Sequence, residues 1–387
     1  NDSFKNPLHL ISENCKLLDK DRINILNPTK KIFLNTKAKI KILHIYNKAE
    51  RMGSRIYFIS TGKKIENGLI RLGHDVEGLS DRDILSYNSN IVNFKNTSLL
   101  NELILKKTYY YNPDLILIGH VNTITNDTFS SIKKYNKNIV ISQWYEDNIA
   151  PSGPDYFKNT RNLSTNFNNI DNFFISTHPD DIDKKNKNIN YHFLPTPADR
   201  NIEKLNFYNN KFFTHDVFFA MSHGVNRGNL KSGKIDERDQ VINKLIELNQ
   251  NLKFDFYGHN NRLPVWSENF YKTISNSSMA LNLNRGKPKK YSCSNRIASL
   301  MGNGLLTFMD NKKKFDDFFT KKEIIFFKDE NDLIDKLNYY KINSAERASI
   351  AKGGQKKYFK LFNECNVAEY IVERSLGIKK KYKPIWE

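Results

Sequence analysis

Short apolar runs rich in branched and aromatic residues recur along this chain, each separated from the next by polar stretches with helical spacing. "KIKILHIYN" (39–47), "DLILIGHV" (114–121), "NIVISQW" (138–144), "DNFFIST" (171–177) and "YHFLPTPAD" (191–199) have the continuity of strands buried on both faces. Between the first two, "TGKKIENGLIRLGHDV" puts Ile65, Leu69, Ile70 and Leu72 on one helical face. Strand and helix in alternation predict a doubly wound α/β domain. The pattern then restarts. "HDVFFAMS" (215–222), "LKFDFYG" (252–258), "SMALNLN" (278–284), "GLLTFMD" and "EIIFFKD" (323–329) read as strands, with helices between and after them. The prediction is α/β with two Rossmann-like doubly wound parallel-sheet domains. It divides the chain into a polar extension (1–37), a first domain (38–205), a second domain (206–376) and a basic tail (377–387). Ligands of such sheets sit at the carboxyl ends of the strands, so two of them face each other across a cleft.

Composition narrows the class. The 387 residues suffice for two cores, and 39% hydrophobic with 12% aromatic content marks a folded chain. No run reaches the roughly 18 apolar residues that would span a bilayer. The opening "NDSFKNPLHLISENCKLLDKDRINIL" is broken by charges, and no secretory signal is expected there. Cys15, Cys293 and Cys365 are too scattered for a disulfide framework or a zinc site and fit a reducing compartment. A net charge of +19 invites a nucleic-acid reading. Lysine far outnumbers arginine, however, and no run interleaves basic and aromatic residues as single-strand binding requires. The charge is read as solvated surface, able to steer anionic substrates or to meet an anionic membrane.

"KKYSCSNRIASLMGNGLLTFMD" (289–310) orders charge, hydroxyls, helix, glycine turn and strand. Ser292 or Ser294 can cap a helix from about Asn295 to Met301, whose start favours an anion. Arg296 in the first turn opposes the helix dipole, which an anionic ligand beside its fork would offset. "MSHGVNRGNLKSGK" (221–234) is a glycine-bearing basic loop after the first strand of this half, with Arg227, Lys231 and Lys234. The two segments can converge on one diphosphate. The turn "FYGHNN", with Tyr257 and Gly258, ends a third strand and could flank a nucleotide base or simply turn.

These residues resemble a family. "YSCSNRIASLMGNGLLTFMDNKKKFDDFFTKKEIIFFKDENDLIDKLNYY", followed by "ERASIAKGGQKKYF", is similar to the carboxyl-terminal half of group 1 GT-B glycosyltransferases, most clearly over 215–376. "NGLIRLGHDV" is similar to their first crossover helix. The resemblance implies a nucleotide sugar held by the second domain and an acceptor by the first. Arg227 and Lys234 (or Lys231) then match the residues on the donor phosphates, and "SCSNR" (Ser292, Ser294, Asn295, Arg296) the helix start beside them. One departure matters: where many retaining members carry two glutamates, this chain has Tyr291 and Ser299.

Glycosyl transfer needs a base for the acceptor hydroxyl in an inverting enzyme and stabilisation of the leaving diphosphate in any. Three strand-end residues can be that base: Asp147, which is preferred, Glu146 beside it, and His120. His44, inside the first strand, is read as core. Gly53 and Arg55, in "MGSRIYF", are placed where the first loop faces the cleft and an acceptor. "DRD" (81–83) has metal-clamp spacing but reads as a charged turn, so no metal or other cofactor is expected. The expectation is a cytoplasmic glycosyltransferase moving a sugar onto a saccharide or lipid-linked acceptor in surface polysaccharide or glycolipid assembly, with contact to the inner face of the membrane. The rival is a catalytically inactive subunit of the same fold, contacting nucleic acid.

Overall fold

The computed structural model describes residues 39–51, 60–87, 95–151, 153–165, 167–183, 189–221, 237–260, 262–378 and 384–387. Among them, the first domain runs β1 (Lys41–Tyr46), α1 (Thr61–Arg71), β2 (Asp75–Leu79), α2 (Asp81–Leu85), α3 (Ser98–Tyr111), β3 (Leu115–Gly119), α4 (Asn126–Tyr135), β4 (Val140–Tyr145), α5 (Tyr156–Ser164), β5 (Asn172–Ile175) and β6 (Tyr191–Phe193). These six strands form one parallel sheet in the order β2-β1-β3-β4-β5-β6. Tyr46 pairs with Gly119 and Gly119 with Trp144, so β1, β3 and β4 end level and present their loops together.

The second domain runs β7 (His215–Ala220), α6 (Glu237–Leu248), β8 (Phe254–Tyr257), α7 (Ser267–Ile274), β9 (Ser277–Leu281), α8 (Arg296–Gly302), β10 (Leu306–Asp310), β11 (Ile325–Phe327), α9 (Glu330–Ile342), α10 (Ser344–Phe362) and α11 (Glu364–Ser375). Its five parallel strands lie in the order β11-β10-β9-β7-β8. β1, β3 and β5 are buried almost throughout, as their unbroken apolar runs require.

α1 shows how local chemistry makes these elements. Ser60 accepts from Lys63 N at its start, and Gly73 at φ 83 follows its end. Gly62 lies against the Tyr46 ring. Gly68 lies against the Glu364 carbonyl, where a β-carbon would come within 2.1 Å of the oxygen. Its partner there is α11, a helix of the chain's last part that the sequence division assigns to the second domain. α11 instead crosses back: Val367, Ala368 and Ile371 are buried in the core that includes Ile65 and Leu69 of α1, and Ser375 Oγ meets Ser142 Oγ of β4 at 2.8 Å. An apolar stripe says that a helix packs, not on which sheet.

That core is continuous across the junction, joining Trp144 and Phe193 to Tyr291, Ile297, Phe318 and Phe362. Charged side chains are buried beside it. Lys64 Nζ pairs with Glu203 Oε1 at 2.5 Å, and Arg71 reaches both Asp199 and Glu364 at 2.8 Å. Asn67 Nδ2 donates to Asp199 Oδ2 at 2.7 Å and the Tyr271 hydroxyl donates to Glu203 at 3.2 Å. The linker from β6 to β7, which carries Asp199 and Glu203, is therefore pinned to helices of both domains.

The expected cap of α8 is not made by either serine. Asn295 occupies the cap position with helical φ and ψ and no side-chain cap bond. Ser292 Oγ donates to Lys289 O at 2.8 Å, and Ser294 Oγ faces Asn282 Oδ1 at 3.5 Å. Both serines lie in irregular chain before the helix, and their hydroxyls serve the preceding turn and the end of β9 instead.

Candidate active site

The facing strand ends bring side chains of both domains into contact. Glu146, directly after β4, accepts at Oε2 from Asn295 Nδ2 at 2.8 Å. Thr61 Oγ1, in the first turn of α1, lies 2.7 Å from Glu146 Oε2 and 2.7 Å from Asn295 Oδ1, so its one proton sits between two acceptors. Further out, Arg285 of the second domain pairs with Asp155 of the first at 3.0 Å. Gly286, at φ 72, lets the backbone approach Pro154 there.

His120 follows β3 in the left-handed region, φ 55, a conformation uncommon for a side-chain-bearing residue. Its backbone N–H donates to Trp144 O at 3.0 Å, and its ring tilts over Tyr145 with centroids 4.3 Å apart. Nε2 lies 3.3 Å from Asp147 Oδ2. With Nε2–H donated to Asp147, the lone pair lies on Nδ1, the arrangement in which an oriented imidazole can take a proton. All three proposed bases thus lie together at one edge of the cleft, two of them as a pair. His44 is fully buried: burial pushes its pKa down to about 3, and Nε2 accepts from Trp144 Nε1 at 3.1 Å. It belongs to the sheet.

Across the cleft, Arg296 is rooted in the sheet edge. Nε donates to Ala220 O at 2.9 Å and Nη1 to Leu283 O at 3.0 Å, with the guanidinium 4.6 Å from the Phe219 ring centroid. Beneath it lies a residue the sequence did not single out. Lys313, after β10, is buried with Nζ donating to Asn282 O at 2.9 Å and to Asn284 Oδ1 at 3.0 Å. Burial pushes its pKa down to about 8. Thr61, Asn282 and Lys313 are the residues sequence reasoning missed. Thr61 stands at a recognisable capped helix start. Lys313 stands in "NKKKF", where nothing marks it among its neighbours.

Tyr291 and Ser299 occupy the positions where the resemblance implies glutamates, and the structure builds both into the scaffold. The Tyr291 ring packs on Phe318 at 4.5 Å, His178 at 5.2 Å and Phe193 at 5.6 Å, and its hydroxyl donates to Asp317 at 2.6 Å. Burial and that carboxylate raise its pKa. Ser299 is buried on α8. Tyr257 ends β8, at the far edge of the second sheet, and Gly258 follows it. The Tyr257 ring stacks under Arg262 at 3.7 Å, and Gly258, at φ 74, donates its N–H to Arg262 O. Asp83 of the "DRD" turn accepts from the backbone N–H of Glu50 and Arg51, each at 3.0 Å, which holds the loop after β1. Arg227, Lys231, Lys234, Gly53 and Arg55 lie outside the described residues.

Two parallel-sheet α/β domains facing across such a cleft are the GT-B fold, and comparison with solved structures agrees. Sucrose-phosphate synthase from Thermosynechococcus elongatus superposes with a TM-score of 0.54 at 10% identity, over 86% of this chain and 98% of that one. HepE from Anabaena, in complex with UDP-glucose, gives 0.50 at 10% identity over 88% and 100%. An alpha-glucosyltransferase in complex with UDP and a 13-mer DNA gives 0.51 at 12% identity over 87% and 100%. Residues 238–373 match the family described as Glycosyl transferase-like, so the second domain carries a glycosyl transferase-like sequence on a GT-B frame. No curated protein matches the chain. The resemblance read from residues 215–376 is borne out in kind and in place.

Proposed function

We propose that the protein transfers a sugar, a hexose or close relative, from a nucleotide-activated donor to a saccharide or lipid-linked acceptor without a metal ion. The observation that carries this reading is the cleft itself. Oriented bases at the ends of β3 and β4 face a donor-bearing edge formed by Asn295 and Arg296. The first side suits proton removal from a hydroxyl, the second a departing diphosphate. In the reaction the acceptor oxygen bonds to the anomeric carbon while the carbon–oxygen bond to the diphosphate breaks. The electron pair leaves with the diphosphate, and the hydroxyl proton passes to the basic group, His120 held by Asp147. The basic surface and the absence of any long apolar helix among the described residues suit a chain working against the inner face of a membrane, in surface polysaccharide or glycolipid assembly.

A second reading, a catalytically inactive relative kept for binding, is favoured by one observation: Tyr291 and Ser299 serve the core where glutamates are implied. One experiment separates the two. Thermal unfolding with UDP, GDP, ADP, TDP and CMP should show one nucleotide raising Tm by several degrees, as saturating a folded-state site does. The matching nucleotide sugars should then be turned over. Stabilisation with no turnover of any sugar selects the inactive reading. No stabilisation by any nucleotide overturns sugar transfer.

A further inference from the structure

A buried lysine normally meets a carboxylate, because taking an ammonium group out of water costs several kcal/mol unless it is paired. Lys313 does not. Its two hydrogen-bond partners, Asn282 O and Asn284 Oδ1, are neutral, and among the described residues no carboxylate lies within ion-pair distance of Nζ. Arg296 and Arg238 face it with like charge, while Asp310 and the Cys293 thiol act in the opposite sense. The neighbouring Asn282 is fully buried as well, and its Nδ2 finds no acceptor among the described residues, although Oδ1 is used by Ser294 and Arg296. An unspent amide donor and an acid-free lysine thus lie side by side at the ends of β9 and β10, next to the strand edge where Arg296 is fixed.

Such an arrangement is expensive by itself and becomes favourable when an anion arrives. We propose that Lys313 and Asn282 form the floor of an anion subsite that takes the diphosphate of the donor. This rests on the sugar-transfer reading and adds to it two residues outside the basic loop and helix start that the sequence indicated. It also carries a consequence for pH. Since burial leaves Lys313 near pH 8, an anion that needs its charge binds less tightly as pH rises through that value.

The test uses the full chain with UDP and inorganic pyrophosphate as probes, by calorimetry, and the Lys313→Met and Asn282→Leu variants. Lys313→Met should weaken UDP binding about 10- to 100-fold. It should leave the Tm of the ligand-free protein unchanged or higher, since it relieves a buried unpaired charge. A lysine with a purely structural role would do the opposite, lowering Tm with little effect on binding. In the wild type, UDP affinity should fall as pH rises from about 7.5 to about 8.5, below the ionisation of the uracil N3–H, and the Met variant should lose this dependence. UDP binding equal in wild type and Lys313→Met overturns the inference and leaves the sugar-transfer reading standing. A wild type that binds neither probe nor any of GDP, ADP, TDP and CMP overturns that reading itself. Should Lys313→Met fail to fold, a flat wild-type pH profile still refutes the subsite.

Discussion

Glu146, Asp147 and His120 share one edge of the cleft but have different partners. Glu146 is bound to Thr61 and Asn295, one from each domain, so its carboxylate holds the two halves together in this structure. Asp147 is half-exposed and touches the imidazole of His120. This division predicts distinct kinetic effects. His120→Asn should lower kcat by about 10²- to 10⁴-fold, the range for loss of a positioned acid–base group, with the dissociation constant for UDP unchanged. Asp147→Asn should give a smaller loss in kcat, because the ring keeps its place but loses the carboxylate that orients it. Steady-state kinetics against calorimetric UDP binding checks both, and equal turnover in His120→Asn would move the base to Glu146. A base at any of these three positions is legible in sequence, since each follows an apolar strand. The pairing of His120 with Asp147 is not, since it depends on the left-handed turn that swings the ring over Tyr145.

At the scale of elements, α1 and α11 decide how the first domain is closed. They meet at Gly68, which has no room for a side chain: backbone oxygen and carbonyl carbon of Glu364 lie 2.1 and 2.7 Å from where a β-carbon would be. Gly68→Ala therefore forces the two helices apart. Ala is the better helix former by about 1 kcal/mol, yet overpacking typically costs about 1–3 kcal/mol and should win here. The urea midpoint should drop with the m-value unchanged. A midpoint at or above wild type would mean that the contact relaxes at no cost. The α8 start teaches the same lesson in reverse. Its serines look like caps in sequence, but Asn295 arrives already helical and the hydroxyls find partners elsewhere.

At the scale of the molecule, the domains share a core and a buried set of charges. Lys64 of α1 and Glu203 of the linker are both almost fully buried, and Tyr271 of the second domain donates to the same carboxylate. Removing one partner strands the other. Lys64→Met should cost about 3–5 kcal/mol, and adding Glu203→Leu should restore most of the loss, because a buried pair replaced whole is often neutral. Scanning calorimetry of the three variants measures this. It should also show a single unfolding transition in the wild type, since α11 and the linker tie both sheets into one core. Two separated transitions, or a double variant no better than Lys64→Met, would mean that the junction couples the domains only weakly.

What the sequence determined by itself is the frame: two doubly wound sheets, their order along the chain, and loops at the strand ends bearing the acids and His120. Strands buried on both faces must be written as unbroken apolar runs, and such runs are local. Tertiary structure alone decided the rest. Glu146 and Asn295 are 149 residues apart, and Lys313 reaches back 31 residues to the end of β9. α11 leaves the domain that precedes it, and Tyr291 becomes core. Each outcome depends on which surfaces meet when the two sheets face one another, and on which polar atoms are then shut away from water. No local pattern of residues encodes either.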